Sequence, residues 1–159
     1  MTNIGILGAG QLGRMLAISA QKLGFKTIVL DPTPHSPAGQ VADVQLLGSF
    51  KDPEAIRELA KKCDVMTFEI ESADAGALHT LEEEGKPVYP SSKTLSIIKD
   101  KYSQKIFLRE CGIPVADFLD VATKDDALFV VQEFSYPFLL KAKFDAYDGR
   151  GNALIREEA

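Results

Sequence analysis

The glycine spacing Gly8-x-Gly10-x-x-Gly13 constrains this chain more than any other feature. It lies between an apolar run, Ile4-Gly5-Ile6-Leu7, and a stretch from Met15 to Leu23 with helically spaced apolar residues at Met15, Leu16, Ile18 and Leu23. That order builds a buried parallel strand, a tight turn and a helix. The glycines permit the turn and a close approach of backbone to a ligand, and unpaired amides at a helix start attract anions. A second strand, Thr27–Asp31, ends in an acid eighteen residues after Gly13, near the ribose-reading position of a dinucleotide site. Asp31 is followed at once by Pro32, so it serves equally well as a strand terminator. The motif points to a doubly wound α/β fold without singling out NAD.

Further elements alternate along the chain. Val44–Leu47 is expected as a short strand. Asp52-Pro53-Glu54 opens a helix with a capping acid, a proline in the first turn and a favourable negative charge, and Lys61-Lys62 place positive charge at its end. Val65–Phe68 reads as the next buried strand, Ala75–Glu84 as a helix closed by Gly85, and Val88-Tyr89 as a short strand before Pro90. Residues 1–98 thus read as a Rossmann-like parallel sheet with helices on both faces. Helices are expected to start at Ser91/Ser92 and at Asp100, the second ending at Cys111-Gly112. Val115–Val121 reads as a strand. Thr123-x-x-Asp126 resembles a capping box for a helix that stops before Tyr136-Pro137. Residues 99–159 therefore form a second, α+β piece that closes on a strand, a glycine-rich loop and a strand from Phe138 to Arg156. One hairpin and two helices bury little surface, so this piece is expected to be the start of a larger lobe.

Composition narrows the function classes. The chain has 159 residues, 45% hydrophobic and 26% charged, and no apolar run approaching a membrane helix. A net charge of −5 and a pI near 5.1 argue against a nucleic-acid surface. Cys63 and Cys111 match no metal or redox spacing and are expected to be reduced core thiols. His35 and His79 stand alone. No metal ligand set is read here, and a cytoplasmic location is expected.

Two further segments carry candidate chemistry. In Phe138–Lys143, Leu139, Lys141 and Lys143 share one face by the two-residue period of a strand. The loop Tyr147-Asp148-Gly149-Arg150-Gly151-Asn152 follows, and a lysine-bearing strand running into a glycine loop suits a phosphate clamp. An edge hairpin guarded by its lysines accounts for the segment equally well when it is read alone. Glu69, in Thr67-Phe68-Glu69-Ile70-Glu71, leaves the sheet at the carboxyl edge where open α/β sheets bind ligands, as does Gln11. A carboxylate there can accept hydrogen bonds from an amine or hydroxyl. Taken by itself, a solvated loop charge explains Glu69 at least as well.

Four segments together resemble the N5-carboxyaminoimidazole ribonucleotide synthetase family, the ATP-dependent part of phosphoribosylaminoimidazole carboxylase. They are Gly8-Ala9-Gly10-Gln11-Leu12-Gly13-Arg14-Met15-Leu16, Cys63 to Glu71, Asp100 to Lys105, and Lys141 to Asn152. The last two are most similar to the fungal form, in which a synthetase half is fused to a mutase half. The resemblance implies an ATP-grasp ligase: a Rossmann-like domain followed by α+β lobes that clamp ATP. It implies carboxylation of 5-aminoimidazole ribonucleotide with bicarbonate and ATP. By the same resemblance, Lys101 and Lys141 contact the nucleotide, and Gly149, Arg150 and Gly151 form a loop over its phosphates. Gly10, Gln11, Leu12 and Glu69 border the ribonucleotide, with Tyr147 and Asp148 near the bicarbonate and imidazole as catalytic residues.

The family's adenine-binding segment, magnesium-binding acids and later basic contacts match nothing in this sequence and are expected downstream of it. The chain is therefore expected to be a fragment, inactive alone, of a homo-oligomeric, dimeric enzyme with a mutase half fused or separate. Ser72 stands where fungal relatives often have His, and Ala146 replaces the Gly typical of bacterial members. Two alternatives remain on the sequence: a formate-dependent glycinamide ribonucleotide transformylase, whose opening usually has Glu in place of Gln11, and a non-catalytic nucleotide-binding module.

Overall fold

The computed structural model describes residues 1–146 and 149–157. They fall into two compact units, Met1–Ser96 and Ile97 onward. The first unit is a four-stranded parallel sheet built from β1 (Asn3–Leu7), β2 (Lys26–Asp31), β3 (Val44–Leu47) and β4 (Val65–Phe68), in the order β3-β2-β1-β4. Ile4 of β1 pairs with Thr27 on one side and Val65 on the other. Each parallel step needs a crossover, and helices α1 (Gln11–Lys22) and α2 (Pro53–Lys62) supply two of them. Val88 extends the sheet by one parallel bridge to Met66. The short strand expected at Val88-Tyr89 is thus a single bridge, because Pro90 follows at once and lacks the amide a longer ladder needs.

Both faces of the sheet are covered. Ile6 and Val29 meet Ala17 and Ala38 on one face. On the other, a side chain added at Gly5 would sit 2.6 Å from Cys63 Sγ and 3.2 Å from Leu59 Cγ, so α2 lies directly on β1 there. The helix signals behave as their chemistry demands. Asp52 accepts the Glu54 amide ahead of Pro53, and Lys61 and Lys62 end α2. In α3 (Ala75–Glu83), Asp74 accepts the Ala77 amide, and Gly85 after it takes a φ of +90°.

Helix α1 departs from the pattern read in its sequence. It begins four residues earlier, at Gln11, and its buried residues are Gly13 and Ala17. Leu12, Met15, Leu16 and Leu23 are exposed. The helix is pressed so close to the turn that only small residues fit beneath it: a side chain at Gly13 would stand 2.7 Å from the Gly8 carbonyl oxygen. Gly13→Ala is therefore expected to destabilise by about 1–3 kcal/mol through overpacking, although alanine in an open helix gains about 1 kcal/mol over glycine. Urea unfolding of the variant checks the sign, and a gain in stability would show that the contact yields.

The chain passes into the second unit within α4 (Ser92–Lys99). That unit contains α5 (Lys101–Glu110), α6 (Lys124–Phe134) and an antiparallel pair, β5 (Phe138–Lys141) and β6 (Asn152–Ile155). Asp100 caps α5 through the Tyr102 amide, and the capping box of α6 is complete, with Asp126 returning a bond to the Thr123 amide. The strand expected over Val115–Val121 is absent; among the described residues no ladder partner lies beside it. Its alternation instead places Phe118 edge-on to Tyr102, under the cationic ends of Lys105 and Arg109. β5 stops at Lys141 rather than Lys143, because the Lys143 carbonyl turns to accept the Lys101 amide. Cys63 is buried as expected, whereas Cys111 is exposed: it caps the end of α5 instead of packing beneath it.

Candidate functional site

In the first unit, the glycine turn and the end of β4 make one site. The Gly8 amide donates to the Leu30 carbonyl and the Glu69 amide to the Leu7 carbonyl, so sheet bonds hold both segments side by side. Glu69 then reaches back with Oε1, which accepts the Gly10 amide at 2.9 Å. Asp31, at the end of β2, accepts the Ala9 amide through Oδ2 at 2.9 Å and the Thr33 amide through Oδ1 at 2.8 Å. Gln11 and Leu12 follow, both exposed, as the first residues of α1. Gly10, Gln11, Leu12 and Glu69, singled out in the sequence, are thereby brought together. Each oxygen of Asp31 accepts one backbone amide, which ties it to the glycine turn and to the loop after β2.

Burial pushes the Glu69 carboxyl above its ordinary 4.5, opposed by the bond from Gly10 and reinforced by the nearby charges of Asp31 and Glu71. A carboxyl that binds its proton more tightly when folded loses stability for the fold as pH rises from the ordinary value through the raised one. Glu69→Gln keeps an acceptor for Gly10 and removes the charge. It is expected to stabilise the unit at neutral pH and to flatten the slope of stability with pH through that window. Urea midpoints measured across the window test this; an unchanged slope would exclude Glu69 as its source.

In the second unit a groove of about 470 Å³ runs between α5, α6 and β5. Lys101, Lys105, Lys141 and Lys143 line it together with Tyr102, Phe118 and Phe134. Lys101 and Lys141, forty residues apart in sequence, thus share one groove whose cations and aromatic faces suit phosphates and a planar base. Lys101 Nζ donates to the Ala146 carbonyl at 2.5 Å. Lys143 pairs with Asp120 at 2.9 Å; that bond raises the lysine above its ordinary value. Burial pushes Asp100 upward, but bonds from Ser103 and the Tyr102 amide, with Lys143 near, bring it below its ordinary value. Asp120 went unremarked in the sequence, where nothing local separates it from other loop acids.

Gly149 and Gly151 both have φ near +75°, at +78° and +70°. The Gly151 carbonyl accepts the Ala142 amide at 2.8 Å, which ties the loop to the end of β5. Arg150 between the two glycines is exposed. Tyr147 and Asp148, expected to be the catalytic residues, lie outside the described residues. Among the described residues no three His, Cys, Asp or Glu side chains gather around a common metal position. No helix among them is long and apolar enough to cross a membrane.

Family comparison decides what this pair of units is. Residues 1–99 match the ribonucleotide synthetase pre-ATP-grasp domain model, and residues 106–159 match the ATP-grasp domain model. The chain belongs to the ribonucleotide synthetase pre-ATP-grasp family. It is 44% identical, over 98% of its length, to a phosphoribosylaminoimidazole carboxylase of Ogataea methanolica, and 42% identical over 98% to an N5-carboxyaminoimidazole ribonucleotide synthase of Bacillus subtilis. It spans 30% and 41% of those two proteins. A crystal structure of N5-carboxyaminoimidazole synthase from Aspergillus clavatus, in complex with ADP and 5-aminoimidazole ribonucleotide, matches 98% of this chain and 41% of its own. That match has a TM-score of 0.85 at 41% identity. The Rossmann-like sheet and the α+β start of an ATP-grasp lobe expected from the sequence are the architecture of this family.

Proposed function

We propose that this chain is part of an ATP-dependent ligase that carboxylates 5-aminoimidazole ribonucleotide with bicarbonate, giving N5-carboxyaminoimidazole ribonucleotide, ADP and phosphate. The reading is carried by its similarity above 40% to relatives of that name across both units, in the same order. ATP phosphorylates bicarbonate to carboxyphosphate, with release of ADP. The exocyclic amine then attacks the activated carbon, and phosphate leaves. In such a phosphoryl transfer the protein mainly positions groups and stabilises charge.

The residue roles follow the family resemblance. Lys101 and Lys141, in one groove, contact the ATP phosphates, and Gly149, Arg150 and Gly151 close over them. Gly10, Gln11, Leu12 and Glu69 border the ribonucleotide. Tyr147 and Asp148 serve the bicarbonate and imidazole end. Following the family resemblance, the magnesium ion that accompanies ATP would be held by acids in the remaining length of its relatives. The same reading makes the protein a cytoplasmic homo-oligomer, with a mutase half fused or separate. ADP release measured on a protein carrying this chain together with the remaining length of its relatives tests the proposal. Release should require both 5-aminoimidazole ribonucleotide and bicarbonate; release driven by glycinamide ribonucleotide and formate would replace the reading with the transformylase.

A further inference from the structure

Four lysines line the groove of the second unit, but their ammonium groups are not equivalent. Lys101 donates to the Ala146 carbonyl, and Lys105 to the Ala116 carbonyl at 3.2 Å. Lys143 reaches both oxygens of Asp120, at 2.9 and 3.1 Å, and stands 5.8 Å from the centre of the Tyr102 ring. Of the four, Lys141 alone has an ammonium without a partner among the described residues. Lys143 is held at its backbone as well. Its carbonyl accepts the Lys101 amide at 3.1 Å, and Lys101 is the first residue of α5. Asp120 comes from the segment between α5 and α6. Lys143 thus joins three pieces of chain: the turn just past β5, the start of α5 and the segment before α6.

Stability does not account for the pair. Both side chains are 38% exposed, and an ion pair so open to water adds little to a fold. What the pair fixes is position. An ammonium committed to a carboxylate and an aromatic face does not offer its charge to a phosphate, while the carbonyl of the same residue carries Lys101 into the groove that holds Lys141. We propose that Asp120 and Lys143 are a positioning pair: they keep one cation back from the phosphate site and set the start of α5, with Lys101, against the end of β5, with Lys141. The bond from Asp120 and the nearby charge of Asp100 favour the protonated lysine, so the pair keeps both its charges at neutral pH. The inference rests on the ATP-dependent reading proposed above and adds to it two residues that act through the nucleotide lysines.

Calorimetry with ATP and steady-state turnover test this in a protein carrying this chain together with the remaining length of its relatives. Lys143→Met removes the ammonium but no phosphate contact, so the dissociation constant for ATP should stay within about twofold while turnover falls roughly tenfold or more. Asp120→Asn frees the ammonium beside Lys141. It should lower turnover in the same way yet tighten ATP binding by roughly threefold or more, a gain that fades as salt is raised. Lys143→Arg can keep both bonds to Asp120 and should restore most of the turnover lost in Lys143→Met. A purely structural role would weaken binding and turnover together in every variant, and that result would overturn the proposal. So would a loss of ATP affinity in Lys143→Met as large as in Lys141→Ala, which would make Lys143 a phosphate contact, or undiminished turnover in Lys143→Met and Asp120→Asn. If the unaltered protein binds no ATP, the ligase reading falls and takes this inference with it. If it binds ATP and turns over while the variants fail these tests, only the positioning pair is lost.

Discussion

Leu59→Ala is expected to cost the first unit about 2–5 kcal/mol, enough to unfold a marginal domain. Leu59 is fully buried on α2 and faces β1 where Gly5 leaves room for it. Two elements meet at that point: α2, through Leu59 and its C-cap Cys63, and β1, through Gly5. Gly5 has no side chain to move into a cavity, and Cys63 is held by the start of the next strand, so the gap cannot close cheaply. Urea denaturation followed by circular dichroism gives the loss directly. A cost below about 1 kcal/mol would mean that the helix settles onto the strand, and that the close approach at Gly5 is not the packing constraint it is taken to be.

Leu59 also shows what local pattern could and could not disclose. The strand–turn–helix at Gly8–Gly13 and the caps at Asp52, Asp100 and Thr123 were legible, because each depends on residues within a few positions of one another. The buried face of α1 was not. Apolar spacing pointed to Met15 and Leu16, but the distance from helix to turn, set by Gly8 and Gly13, admits only Gly13 and Ala17. Val115–Val121 was misread for a related reason: alternation describes which residues share a face, while a strand also needs a partner supplied from elsewhere in the chain.

The site divides in the same way. Glu69 and Gln11 were placed at the carboxyl edge of the sheet by topology alone, and they are there. Asp31 was visible as an acid after a strand, yet its use on the Ala9 and Thr33 amides depends on how the turn folds back over β2. Lys101 and Lys141 were linked by resemblance; their common groove arises because α5 and β5 are tied through the Lys101 amide and the Lys143 carbonyl. That bond joins residues too far apart for any periodicity to reveal.

The second large effect concerns that groove. In a protein carrying this chain together with the remaining length of its relatives, Lys141→Ala is expected to weaken ATP binding by about 1.5–3 kcal/mol, roughly 10- to 150-fold, and to lower turnover with it. The side chain is exposed at the last position of β5, so its removal should change stability by no more than about 0.5 kcal/mol and leave a folded protein to assay. Lys124→Ala, at the start of α6 and outside the groove, controls for the loss of one positive charge. Lys101 should behave differently from Lys141. Its ammonium already donates to the Ala146 carbonyl, so Lys101→Ala removes a hold on the loop as well as a cation. Lys141→Ala should therefore raise the dissociation constant for ATP without altering amide exchange at Gly149 and Gly151, whereas Lys101→Ala should change both. Calorimetry with ATP and hydrogen exchange on the same variants distinguish the two lysines. Unchanged ATP affinity and turnover in Lys141→Ala would remove it from the phosphate contacts and return this strand to the simpler role of a lysine-guarded edge.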